Sequence, residues 1–131
     1  MTLASLTADL YTPLLVLAYL YYWKKETQVK RRLRIIVLLL SLTLVYGLML
    51  LDNSLKIWPA LAMDYSTHSA LALVFVIDIS MKNKKMLLFA PLSLFIYFYL
   101  MWFLDYHSVA DMLTTSMVLL PVLFYLHKKG R

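Results

Sequence analysis

Apolar runs long enough to cross a bilayer alternate along this chain with clusters of lysine and arginine. A membrane helix needs roughly 20 residues, within a range of about 17–25. Five runs come at or near that length: about Leu3 or Leu10 to Trp23, Ile35 to Leu51, about Trp58 or Ala60 to Met81, Met86 to Leu104, and about Ser108 to His127. A charged loop from Lys24 to Arg34, a turn at 52–56, a basic loop at 82–85 and a turn at 105–107 separate them. The runs are too long, and alternate too little, for the strands of a β-barrel. Hydrophobic residues make up 63% of the chain, against about 45–50% in a soluble domain. The expectation is an all-α, polytopic membrane helical bundle of about five transmembrane helices. Residues 1–131 form one integral membrane domain.

The net charge of +6 is placed for topology and not for nucleic acid. Of the thirteen lysines and arginines, all but Lys56 fall in three clusters: Lys24 to Arg34, Lys82 to Lys85, and Lys128 to Arg131. The positive-inside rule puts these clusters in the cytoplasm, with the N-terminus and the 52–56 and 105–107 turns outside. Trp23, Trp58, Trp102 and Tyr106 then fall near the two interfaces, as an aromatic belt does. The basic clusters attract anionic lipid headgroups. The first apolar run lacks a basic leader and a small-residue cleavage pattern, and is expected to stay as a helix. With no cysteine, disulfides and thiolate metal sites are excluded.

Two polar islands interrupt the apolar sequence. Asp64-Tyr65-Ser66-Thr67-His68-Ser69 opens the third run, and Asp105-Tyr106-His107-Ser108-Val109-Ala110-Asp111 precedes the fifth. Each has a histidine and an aspartate four residues apart, the spacing that shares a helix face. Ionisable groups inside apolar segments are costly and mark function. The topology puts both islands on the same side. His107 with Asp111 suits an imidazole oriented by a carboxylate, and His68 suits an acid for a leaving group. Two helix N-termini would favour an anion there, with Ser66, Thr67 and Ser108 as hydroxyl donors.

Ser66-Thr67-His68-Ser69-Ala70 resembles the Ser-Gly-His-Thr-Ala motif of the type 2 phosphatidic acid phosphatase superfamily. His107-Ser108-Val109-Ala110-Asp111 resembles that family's His-x-x-x-Asp motif. Tyr65-Ser66-Thr67-His68 is also close to the Tyr-Ser-Gly-His form of the sphingomyelin-synthase-like branch. The resemblance covers about half the chain, from Asp64 onward, and makes it a reduced member with five helices in place of six. It implies a lipid phosphate substrate and an outward-facing site at a bacterial inner membrane, with no cofactor. His107 would be the nucleophile, forming a phosphohistidine, with Asp111 its orienter and His68 the acid. The family grips phosphate with a Lys and an Arg-Pro. Here the corresponding turn offers Lys56, then Trp58 and Pro59. Met101 stands where the family has an arginine, and Thr67 where it has a glycine.

Other readings accompany this one. Two His and two Asp at helical spacing suit a divalent metal, and the same motifs loosely resemble a family of small membrane metal-dependent hydrolases. The missing cations suit a non-catalytic scaffold of the same fold. Asp64 is either a substrate-site residue or a helix cap, Asp78 pairs with Lys82 one turn on, Asp9 belongs to an external tail, and His127 sits at the interface beside Lys128.

Overall fold

Residues 3–129 are described by a computed structural model, in which six helices run back and forth. They are α1 (Leu3–Lys24), α2 (Gln28–Leu55), the short α3 (Ile57–Ala60), α4 (Thr67–Ser80), α5 (Lys84–Phe103) and α6 (Val109–Lys129). No strand occurs among the described residues. Three helices, α2, α5 and α6, are long and apolar enough to cross a membrane. The exterior carries large apolar side chains along its length, such as Leu17, Leu39, Phe95, Ile96, Met117 and Phe124. The interior holds Arg34, Ser41, Ser66, Ser69, Asp78, Thr115 and His127. An apolar coat around buried polar groups inverts the soluble pattern and is consistent with an integral membrane protein.

Three expected boundaries are corrected. Residues 52–55, expected to form a turn, are the last turn of α2. The segment from Gln28 to Arg34 is helix and not loop. Thr27 caps it, its hydroxyl accepting from Lys30 N at 3.4 Å, and lysine, arginine and leucine are good helix formers. At 28 residues and 1.5 Å of rise each, α2 is about 42 Å long, so its charged end projects past a ~30 Å hydrocarbon core. The expected third span is broken. Lys56 closes α2 in the left-handed region (φ 57°), and Ala62 adopts φ 60°. Only after this irregular stretch does Ser66 cap α4, accepting from Ser69 N at 3.2 Å. Trp58, expected at an interface, is buried; its indole donates to Thr114 Oγ1 at 3.0 Å and meets Tyr65 edge-on.

Helix α4 is the centre of the bundle. It has only 14 residues, and ten of them are buried, because α1, α2, α5 and α6 all pack against it. A helix screened from lipid on every side has no apolar thickness to match, which is why it stays short. Asp78 near its C-terminus ties it to its neighbours. Its Oδ1 accepts from Arg34 Nη1 of α2 at 3.4 Å and faces His127 Nδ1 of α6 at 3.4 Å. Its Oδ2 lies 3.6 Å from Lys82 Nζ, which also reaches Glu26 at 3.3 Å. The Asp78–Lys82 pair is thus present. His127, expected at an interface, is buried, with Nε2 3.2 Å from Ser41 Oγ.

Breaking one partner of a buried ion pair typically costs about 3–5 kcal/mol, because the other charge stays uncompensated. Asp78→Ala should therefore lower the thermal midpoint of the detergent-solubilised protein sharply. Arg34→Met combined with Asp78→Leu should recover most of it. A midpoint unchanged by Asp78→Ala would mean that this cluster does not hold the bundle.

Candidate functional site

The two polar islands come together at one end of the bundle, at the N-termini of α4 and α6. The α6 island folds around its own aspartate. Ser108 and Asp111 form a reciprocal cap: Ser108 Oγ accepts from Asp111 N at 3.1 Å, and Asp111 Oδ2 accepts from Ser108 N at 3.0 Å. This satisfies orphan amides at the helix start. The same Oδ2 accepts from His107 Nδ1 at 3.3 Å. The pairing selects the tautomer with hydrogen on Nδ1 and leaves the Nε2 lone pair free. The other oxygen, Oδ1, accepts from the backbone N–H of Asp64 at 2.9 Å. One carboxylate thus caps its helix, orients an imidazole and anchors the second island.

The α4 island is held by hydroxyls. Ser66 N donates to Thr115 Oγ1 at 3.0 Å, and Ser66 Oγ donates to Ser69 Oγ at 2.7 Å. Ser66 and Ser69 are fully buried. His68, in the first turn of α4, is exposed and points into a cleft of about 520 Å³. The cleft is lined by Ala8, Asp9 and Thr12 of α1, His68 and Leu71 of α4, Tyr97 of α5, and Tyr106 and His107. Tyr97 is buried and stacks on Tyr11 with ring centroids 4.4 Å apart, and this fixes the α1–α5 wall.

His68, His107 and Asp111 are therefore assembled around one cavity, the last behind His107. The other expected contacts are not in it. Ser66, Thr67, Ser108, Asp64 and Lys56 are absent from the lining. Ser66 and Ser108 spend their hydroxyls on the caps of α4 and α6. Asp64 lies in the irregular stretch before α4, so it does not share a helix face with His68, and Ser66 is the cap. Lys56 is exposed in its left-handed turn between α2 and α3. The site also contains a residue that the sequence reading put elsewhere. Asp9 sits in helix α1 and faces both histidines across the cleft. Its signal was available, as the one acidic residue of the first apolar run.

Among the described residues, no lysine or arginine lines the cleft. Among the described residues, no group of three or more His, Asp or Glu side chains converges as metal ligands would. Comparison with family profiles, characterised proteins and solved structures finds no match.

The Thr115 hydroxyl accepts from the buried Ser66 amide, so Thr115→Val tests how the α4 island is held. Leaving a buried donor unsatisfied costs about 1–3 kcal/mol. The variant should lose that much stability by equilibrium unfolding in detergent. Thr43→Val, at an exposed residue whose hydroxyl donates to Leu39 O of its own helix, should lose less. Equal losses would contradict the assignment.

Proposed function

We propose that the chain is a five-span membrane protein resembling the type 2 phosphatidic acid phosphatases, and that it removes or transfers the phosphoryl group of a lipid phosphate. The observation that carries this reading is the convergence of His68 and His107 on one cleft, with Asp111 hydrogen-bonded behind His107. In this reading α1 and α4 join the three long helices within the bilayer. The basic clusters lie in the cytoplasm of a bacterial cell, and the cleft opens outward.

The chemistry follows from the tautomer. With Nδ1–H held by Asp111, His107 Nε2 is free to attack phosphorus. The P–O bond to the lipid breaks, and His68, entering as the imidazolium, gives its proton to the departing alkoxide. The phosphoryl group rests on His107. Water then attacks phosphorus, the P–N bond breaks, and the neutral His68 takes the proton from water. A lipid hydroxyl in place of water gives transfer. Asp111 stabilises the cationic ring as the P–N bond forms, in the manner of an orienting carboxylate.

Phosphate release from phosphatidic acid in mixed micelles, with chelator present, tests this. His107→Ala should abolish release, a loss of at least about a thousandfold. His68→Gln should lower it by about 10²–10⁴-fold. Release unaffected by His107→Ala would remove the phosphohistidine.

A specific observation favours a second reading, a non-catalytic scaffold. Phosphoryl transfer relies on cations around the equatorial oxygens, and this cleft offers Asp9 and no lysine or arginine. That reading predicts no release from any lipid phosphate and no vanadate-induced shift in thermal midpoint.

The orientation has its own test, made simple by the absence of cysteine. Asn53→Cys, exposed near the end of α2, should react with an impermeant maleimide added to intact cells. Lys84→Cys should react only after permeabilisation. The reverse pattern would invert the topology.

A further inference from the structure

At the opposite end of the bundle, a groove of about 550 Å³ lies between the C-terminal end of α1 and the first turns of α2. Trp23, Gln28, Arg31, Arg32, Ile35 and Ile36 line it. Its parts are held in place. Trp23 Nε1 donates to the Arg31 carbonyl at 3.1 Å, and the Arg31 guanidinium lies 5.7 Å from the centre of the indole ring. This is cation–π range. Nε of Arg31 is buried with no hydrogen-bond partner among the described residues.

Among the described residues, the two arginines also lack a protein counterion. The nearby carboxylates are engaged elsewhere: Glu26 with Lys82 at 3.3 Å, and Asp78 with Arg34 at 3.4 Å. Among the described residues, neither Arg31 nor Arg32 takes part in an ion pair. Below the arginines the wall turns apolar. Ile35, Ile36, Leu39 and Leu40 are 38%, 53%, 58% and 50% exposed. Their spacing puts them in one strip running down α2, away from its charged end.

We propose that this groove binds an anionic glycerophospholipid. The headgroup phosphate sits on Arg31 and Arg32, whose planar forks match its oxygens, and an acyl chain lies along the strip from Ile35 to Leu40. The uncompensated arginines select an anion. The apolar strip selects one that carries a tail, and this separates the site from one for a free phosphate. The surrounding lysines, Lys24, Lys25 and Lys30, add attraction to any anionic surface, but the groove adds a seat. The binding does not depend on chemistry in the histidine cleft at the other end.

The test is native mass spectrometry of the full chain, released from detergent containing equal amounts of phosphatidylglycerol and phosphatidylcholine. The unmodified protein should retain one phosphatidylglycerol in preference to phosphatidylcholine. Arg31→Gln with Arg32→Gln should reduce that preference by about fivefold for each arginine removed. Lys84→Gln with Lys85→Gln, in a separate basic cluster, should leave it intact. Ile36→Asn, which keeps both arginines uncompensated and spoils the strip, should also reduce retention. Equal retention of the two lipids would overturn the proposal. So would an equal loss on removing Lys84 and Lys85, which would indicate general charge attraction. Displacement of the lipid by soluble glycerol phosphate at matched concentration would overturn it too, since the site would then recognise a free anion.

Discussion

The pairing of α4 with α6 is the constraint on which the arrangement depends. The two helices run in the same direction and are tied at both ends by polar contacts. At one end Ser66 N meets Thr115 Oγ1, and at the other Asp78 Oδ1 meets His127 Nδ1. Each contact spans 49 residues of sequence. Equal spacing at both ends means that neither helix slips against the other over the length of α4. That fixed register sets the Asp64 amide against Asp111, and through Asp111 it sets the position of His107.

Polar ties carry this weight because the surroundings are apolar on both sides of the outer helices. In lipid, packing one leucine against another displaces only hydrocarbon, so helix association rests on close packing and interhelical hydrogen bonds. The interior accordingly contains serines, a threonine, and an Arg–Asp–His cluster where a soluble bundle would hold leucine. The same logic explains the short central helix. α4 meets protein on all sides, and its polar ends meet partners contributed by α2 and α6.

Helices were legible in the sequence wherever an apolar run had basic residues at its end, and α1, α5 and α6 begin and end within a few residues of the expected places. The misplaced boundaries fall where no local signal marks them. Charged residues from Gln28 to Arg34 have no apolar signature but extend a helix readily once Thr27 caps it. The break before α4 carries no glycine to announce it; Lys56 and Ala62 adopt left-handed backbone that non-glycine residues seldom take. In the site, the His107–Asp111 contact was readable because it is local, one turn apart. The bond from the Asp64 amide to Asp111 crosses 47 residues, and no local pattern announces it. His127 reads as an interface residue beside Lys128 for the same reason, since its partners Asp78 and Ser41 lie far back in the chain. Asp9 was mistaken for a tail residue because it shares no motif with the histidines it faces.

The late position of His127 has a consequence for biogenesis. During synthesis α4 emerges with Asp78 well before the helix that closes over it. Until α6 arrives, Arg34 and Lys82 are the cations within reach of that carboxylate, and one flank of α4 lies open to whatever surrounds the nascent bundle. Helix α6 therefore acts as a keystone: the earlier helices can gather around α4, but the register locks only when α6 closes over it.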